Sequence, residues 1–200
     1  LSALELQGYG HYVTMGKRRK VHLYTEAPLS KWLNEIDPEI DFQTRNAQKL
    51  FKSEAIFKAI QDLPPISSTG NVETLDNPDG GLRLHVWGDR SWPMVISRPE
   101  RAILEFLDEI PTHQSFEHAA ELFTGLSNLS PRQLQASLEN CGSVKVNRLF
   151  LWFAERNDHA WFKRLDLDAI NIGSGKRVVA KGGKLDAKYQ ITVPEGLDGN

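Results

Sequence analysis

The sequence predicts an α+β protein in which a mixed β-sheet holds an inserted helical bundle. Apolar and polar residues alternate with the period of a β-strand around Val21, over residues 40–44 and over residues 82–87. Between residues 97 and 158, apolar residues instead recur at the spacing of an amphipathic helix. Strand-like alternation returns between residues 176 and 193. Strands before and after a helical block indicate a sheet that is interrupted by a bundle.

The N-terminal α+β part is predicted to span residues 1–96. It starts with a helix that ends at a glycine C-cap, Gly8. Because the helical pattern is already under way at the first residue, we expect the start of the chain to be truncated. The clearest element is a β-hairpin with strands at residues 82–87 and 92–96, which follows a polar loop at residues 67–81.

Four helices are predicted between residues 97 and 158, within a bundle domain of residues 97–165. Every helix follows a serine, whose hydroxyl can accept a hydrogen bond from a backbone N–H of the first turn. Two of these serines are followed three residues later by Glu or Gln, which is the pattern of a capping box. The four predicted N-cap residues are Ser97, Ser115, Ser130 and Ser143.

The C-terminal part, residues 166–200, is predicted to be a β-hairpin that completes the sheet. Its strands are expected at residues 176–180 and 189–193, on either side of a turn at Gly182 and Gly183. Lys and Arg residues flank both predicted strands.

The 200-residue chain has a formal net charge of −2, but its charges are unevenly distributed. Residues 1–142 contain 14 Lys and Arg against 19 Asp and Glu, whereas residues 143–200 contain 10 against 7. A mildly basic C-terminal quarter on an acidic body suits an anionic partner, either an acidic protein or a nucleic acid. A solvated surface of mixed charge is the alternative interpretation.

A single cysteine, Cys141, excludes an intrachain disulfide and a zinc site built from cysteine spacing. This cysteine usage fits the reducing cytoplasm, which is the expected location. No stretch has the length and apolar composition of a membrane span, so no membrane partner is expected.

Basic residues near the fourth helix and the hairpin form the predicted interaction site. On a helix, Lys145 and Arg148 lie one turn apart, and Arg148 neighbours Trp152. Because apolar residues occupy most of the remaining circumference, this helix is either central to the fold or partly covered by a partner. The residues assigned to partner or nucleic-acid binding are Lys145, Arg148, Arg156, Lys163, Arg164, Lys176, Arg177 and Lys188.

A second basic run, near the N-terminus, is a possible phosphate contact: Lys17, Arg18, Arg19 and Lys20. The alternative is a charged loop that keeps a sheet edge soluble.

No catalytic residue, metal or cofactor is expected. The 6 histidines include no pair at the helical spacing of a zinc protease. The run from Gly173 to Lys176 lacks both the earlier glycine and the following Ser or Thr of a phosphate-binding P-loop. One enzymatic alternative stays open, because Asp166 and Asp168 would share a strand face, as the metal pair of a nuclease requires.

Four segments of the chain carry a family resemblance. They are residues 3–8 (Ala-Leu-Glu-Leu-Gln-Gly) with His11 and Tyr12, residues 143–152 (Ser-Val-Lys-Val-Asn-Arg-Leu-Phe-Leu-Trp), Trp161 with residues 163–166, and residues 173–177 (Gly-Ser-Gly-Lys-Arg) through 188–194 (Lys-Tyr-Gln-Ile-Thr-Val-Pro). Together and in this order they resemble the AbiEi-type antitoxins of type IV toxin–antitoxin systems, which act in abortive infection and are also described as transcriptional regulators.

The resemblance implies a function as well as a family. Members carry an N-terminal winged helix-turn-helix that binds the promoter of their own operon, followed by a larger region that supplies the antitoxin activity. The toxin is a nucleotidyltransferase-like protein, and its antagonism does not depend on a tight stoichiometric complex. The winged domain would precede Leu1, so the resemblance implies autorepression only for a full-length parent.

Overall fold

The computed structural model describes residues 1–10, 18–25, 30, 32–52, 81–87 and 92–197. Of the polar loop predicted at residues 67–81, only Gly81 falls within these ranges. Helices and strands both contribute to the described fold, and the predicted α+β class is confirmed. The helices are α1 (Ser2–Leu6), α2 (Leu33–Ile36), α3 (Pro99–Asp108), α4 (Phe116–Gly125), α5 (Pro131–Asn140) and α6 (Val144–Asn157), and the strands are β1 (Arg19–Tyr24), β2 (Ile40–Arg45), β3 (Leu82–Trp87), β4 (Trp92–Ser97), β5 (Lys184–Asp186) and β6 (Ile191–Val193).

Three of the four predicted helix caps are confirmed. The hydroxyl oxygens of Ser115, Ser130 and Ser143 accept hydrogen bonds from the backbone N–H three residues ahead, at the start of α4, α5 and α6. These bonds satisfy donors that have no partner within the helix. The sequence therefore located the start of each of these helices.

The fourth predicted cap, Ser97, is wrong. Ser97 is the last residue of β4 and pairs with Leu82 across the hairpin. Its hydroxyl donates to the Glu105 carboxylate at 2.8 Å, and helix α3 begins without a side-chain cap. Glu100 does not reach back to Ser97 either. Its carboxylate accepts from the Ser130 N–H at 2.7 Å and so links the starts of α3 and α5.

The strands of the described residues lie in three separate two-stranded sheets. Strands β1 and β2 are parallel, whereas the pairs β3–β4 and β5–β6 are antiparallel. The sequence predicted one mixed sheet completed by the C-terminal hairpin. In the described part of the chain, that hairpin pairs with neither of the other sheets. Alternation along a strand identifies the strand but does not identify its partner, which long-range packing selects.

Helix α6 lies at the centre of the core, and its residues 146–154 are all buried. The ring of Phe153 stacks on Phe123 of α4, with 5.1 Å between the ring centroids. The same apolar cluster includes Leu4 of α1 and Val193 of β6. Of the two alternatives for this helix, the central position is confirmed, because the chain itself covers the apolar circumference. The division into three parts stays a prediction.

Candidate interaction surface

Two polar residues in the middle of α6 hold an irregular loop, residues 171–178, against the helix. The Asn147 amide donates to the Leu138 carbonyl at 3.3 Å and to the Asn171 carbonyl at 3.0 Å. Arg148 donates through Nε to Ile172 O at 2.6 Å. We call residues 173–178 the glycine loop, since Gly173 and Gly175 both have a positive φ.

Arg148 also binds the middle of this loop and links it to the segment before β6. Its Nη1 atom donates to Gly175 O at 2.6 Å and to Gln190 O at 3.1 Å. Gly173, at the start of the loop, lies so close to the first turn of α6 that an added Cβ would be 3.0 Å from Val144 Cγ2. The glycine loop is therefore packed on α6 at several points along its length.

The sequence placed Arg148 on an exposed basic rim, and the structure corrects this. Only 2% of the residue is exposed, because α6 is central and the glycine loop covers it. Burial lowers the pKa of the Arg148 guanidinium, and the nearby Arg177 cation lowers it further. Arg148 supports the backbone of the loop and is not available to a partner.

Lys145 likewise serves the fold. Its Nζ donates to Asp108 O at 2.6 Å and to Ile110 O at 2.9 Å, and it lies 3.6 Å from the Asp108 carboxylate. These carbonyls belong to the last turn of α3 and the segment after it, where a cation also interacts favourably with the helix dipole. Lys145 is half-buried in this position.

Arg156 and Lys188 join the end of α6 to the turn of the β5–β6 hairpin. The Arg156 guanidinium lies 3.7 Å from the centre of the Trp152 ring and 3.8 Å from the Asp186 carboxylate. Lys188 forms an ion pair with Glu155, whose hydrogen bond raises the pKa of the Lys188 amine. Both cations keep partly exposed side chains, but each already has an acidic partner in the chain.

The remaining four predicted cations are exposed as well: Lys163, Arg164, Lys176 and Arg177. Lys163 is paired with Asp158 at 3.0 Å. Arg164, Lys176 and Arg177 form no ion pair with any residue that the structure describes. The glycine loop thus ends in two exposed cations, and next to them Val178 is 73% exposed, the most exposed large apolar residue of the described chain.

Backbone hydrogen bonds fix the end of the glycine loop beside β6. Arg177 N–H donates to Gln190 O at 2.9 Å, and Thr192 N–H donates to Arg177 O at 3.0 Å. Further along, Ala180 N–H donates to Thr192 O at 3.1 Å. The strand predicted at residues 176–180 is therefore a short bridged segment parallel to β6, and the antiparallel partner of β6 is the later strand β5.

The basic run near the N-terminus is only partly described. Arg18, Arg19 and Lys20 are exposed at the start of β1, and Arg19 lies 3.3 Å from the carboxylate of Glu5. Lys17 lies outside the described residues. A phosphate contact at this run stays a prediction.

Asp166 and Asp168 do not share a strand face, because residues 166–170 form turns. The Asp166 carboxylate accepts a hydrogen bond from the Asp168 N–H at 3.1 Å, and Gln135 binds the Asp166 backbone from α5. Within the described ranges no three His, Cys, Asp or Glu side chains are grouped as metal ligands. The geometry therefore gives no support to the two-metal alternative.

Two features of this surface were not predicted from the sequence. The exposure of Val178 is one, because the neighbouring Val179 is buried and the sequence does not show which of the two valines faces outward. The role of Asn147 and Arg148 is the other. Two polar residues in an otherwise apolar helical run are a signal of buried hydrogen bonding, since buried polar groups need partners.

These features define a class of protein: an α+β domain that presents a cationic loop whose backbone is held by hydrogen bonds. The described residues contain no cluster of side chains that could hold a metal ion. None of the described helices is both long enough and apolar enough for a membrane crossing. A protein-family model described as transcriptional regulator, AbiEi antitoxin, type IV TA system matches residues 18–194. The chain belongs to this family, which confirms the resemblance found in its motifs. No curated protein and no solved structure matches the chain.

Proposed function

We propose that the chain is the antitoxin of a type IV toxin–antitoxin system and counteracts a nucleotidyltransferase-like toxin in the cytoplasm. Membership of the antitoxin family over residues 18–194 carries this proposal. The proposal assigns no catalytic step, metal or cofactor to the chain. It places the interaction surface at the exposed end of the glycine loop, around Lys176 and Arg177.

The placement of this surface is supported by the contact between two of the family-like segments. Residues 143–152 supply Arg148, whose side chain donates to Gly175 O in the glycine loop and to Gln190 O in the last family-like segment. The helix segment is buried, so its role is to shape the loop. What the loop offers to a partner is the pair of exposed cations and Val178.

Co-expression with the toxin encoded next to the chain tests the proposal. The wild-type chain should restore growth, and the double variant Lys176→Glu, Arg177→Glu should restore it less well because the local charge is reversed. Arg132→Glu together with Lys49→Glu is the matched control, since it makes the same charge change at exposed positions outside the candidate site. Absence of rescue by a folded wild-type chain would overturn the antitoxin role. Equal rescue by the loop variant would overturn the choice of surface.

We also propose that a full-length parent with a winged-helix domain represses its own operon. The exposed cations Arg18, Lys20 and Arg164 support a contribution of this chain to DNA binding through phosphate contacts. A promoter–reporter assay with the parent should show repression, and binding of the operon DNA should weaken steeply with salt. Repression that persists at full strength without the winged domain would contradict the assignment.

A further inference from the structure

The glycine loop ends in a short β-like edge that lies beside β6. Arg177 directs both its N–H and its C=O toward β6, through the bonds to Gln190 and Thr192. Because successive peptide groups of an extended segment point to opposite sides, the N–H and C=O of Lys176 and Val178 point away from β6. In the described part of the chain, no backbone group pairs with the N–H or C=O of Val178.

This edge is open and is held in position. Val178 is 73% exposed, and Lys176 is exposed at the other end of the same short edge. Beneath the edge, Arg148 binds Gly175 O, and the Thr192 hydroxyl accepts from Val179 N–H at 2.9 Å and donates to Ala180 O at 2.8 Å. A partner strand would therefore meet a backbone that is already fixed, which lowers the entropic cost of binding.

We propose that the outer edge of residues 176–178 binds an extended acidic segment of a partner protein by β-strand addition. Main-chain hydrogen bonds to Lys176 and Val178 would give affinity, and side chains of the incoming strand would give selectivity. An apolar side chain would contact Val178, and carboxylates would pair with Lys176 and Arg177. This binding mode goes beyond the proposed antitoxin role, because it can be measured without any toxin.

The charges of the edge decide between this occupant and two others. A second copy of the chain would bring Lys176 and Arg177 of both copies together, and like charges across a strand pair are destabilising. A nucleic acid would neutralise the cations, but it offers no alternating N–H and C=O groups for the peptide edge and makes no use of an exposed valine. An acidic peptide strand satisfies the backbone groups, the cations and Val178 together.

The proposal can be tested with a fluorescent octapeptide of sequence Glu-Glu-Val-Glu-Glu-Glu-Val-Glu, whose binding is measured by anisotropy. On one face of this strand Glu and Val alternate to match Lys176 and Val178, and on the other face Glu residues match Arg177. Val178→Pro removes the outward N–H of the edge and leaves the Arg177 bonds to β6 in place. Since the loss of one hydrogen bond corresponds to about tenfold in affinity, Val178→Pro should weaken binding by about that factor. Lys176→Glu should weaken it comparably, whereas Arg132→Glu, the same charge change on α5, should leave it within about twofold.

A second peptide keeps the test decisive if the proline variant fails to fold. The same octapeptide with every backbone amide N-methylated retains the charges but has no N–H to donate to the edge, so it should bind about tenfold more weakly. Equal binding of both peptides, or no binding of either, would overturn the proposal. Displacement of the peptide by a short DNA duplex, or a dimer of the chain that Val178→Pro dissociates, would assign the edge to another occupant and also overturn it. Failure here would leave the toxin rescue experiment unaffected.

Discussion

Arg148 and Arg177 lie on two sides of the same loop and have opposite roles. Arg148, on α6, is 2% exposed and donates three hydrogen bonds to backbone carbonyls. Arg177, at the end of the glycine loop, is exposed and forms no ion pair within the described chain. The two guanidinium groups are close enough for the charge of Arg177 to lower the pKa of Arg148.

The difference shows how irregular backbone can be stabilised by a central helix. The carbonyls of Ile172, Gly175 and Gln190 belong to no regular helix or strand ladder with α6, and the buried Arg148 guanidinium supplies donors to all three in a fixed fork. A cation used in this way is part of the fold. The exposed side chains of Lys176 and Arg177, within the loop, have no such task, so they are the ones that a partner can reach.

Replacing the buried cation should give the largest effect. Arg148→Met retains most of the side-chain volume but removes the donor of Ile172 O and of Gly175 O and one of the two donors of Gln190 O, so we expect the free energy of unfolding to fall by about 3 kcal/mol. Urea denaturation followed by circular dichroism measures this change. Arg156→Met is the control, because Arg156 is partly exposed and donates to a single carbonyl. A loss for Arg148→Met no larger than that for Arg156→Met would show that the loop does not depend on Arg148.

The sequence predicted the helices well because local chemistry defines them. Ser115, Ser130 and Ser143 mark helix starts through bonds that lie within one turn. The helix cap predicted at Ser97 is wrong because it was inferred from neighbouring residues alone. Its neighbours fit a capping box, but pairing with Leu82 across the hairpin holds Ser97 in β4, and that pairing links distant parts of the sequence.

The candidate site was less predictable, because burial decides the role of a cation. Lys145 and Arg148 were assigned to a binding rim on their helical spacing, yet each donates to carbonyls from another part of the chain. Their depth depends on how α3 and the glycine loop pack on α6. Lys176 and Arg177 are exposed, although the sequence predicted them within a strand of a hairpin, and their assignment to a binding site stays a prediction.

The half-buried Arg45 should differ from Arg148 in how its site responds to pH. Arg45 binds the Glu109 carboxylate at 2.5 and 2.9 Å, and His22 lies 3.8 Å from the same carboxylate. Burial raises the pKa of Glu109, but the hydrogen bonds and charge of Arg45 outweigh this and hold it below its ordinary value. Burial also lowers the pKa of His22 to about 4, and the other charges around it are Arg45, Glu109, His113 and the amino group of Leu1.

The lowered pKa values of His22 and Glu109 determine how the stability of the chain depends on pH. The pKa of His22 is about 6.5 in the unfolded chain and about 4 in the folded chain. Because the unfolded chain binds the proton first, the free energy of unfolding falls as the pH drops through this interval. The stability from Glu109 is present above its unfolded pKa and is lost as the pH falls through its folded pKa. We expect a decline of about 2 kcal/mol between pH 7 and pH 4 from His22. The carbonyl partners of Arg148 do not titrate in this range.

Urea denaturation at several pH values measures this decline, and His22→Gln should abolish most of it. His113→Gln is the matched control, because His113 lies 3.9 Å from Glu109 but is largely exposed. An unchanged decline in His22→Gln would mean that another group is responsible. The decline should persist in Arg148→Met, since that site contributes no titrating partner.

The smallest effect on stability is expected at the exposed cations. Lys176→Glu combined with Arg177→Glu should change the free energy of unfolding by less than about 0.5 kcal/mol, because neither side chain is paired with a described residue. The change should be slightly stabilising, since it removes the repulsion between Arg177 and Arg148. Urea denaturation at low and high salt measures the change in the free energy of unfolding. Lys145→Glu is the contrasting substitution, because Lys145 is half-buried and binds carbonyls of the fold. If the double variant instead loses as much stability as Lys145→Glu, these cations belong to the fold and the division between supporting and available cations fails.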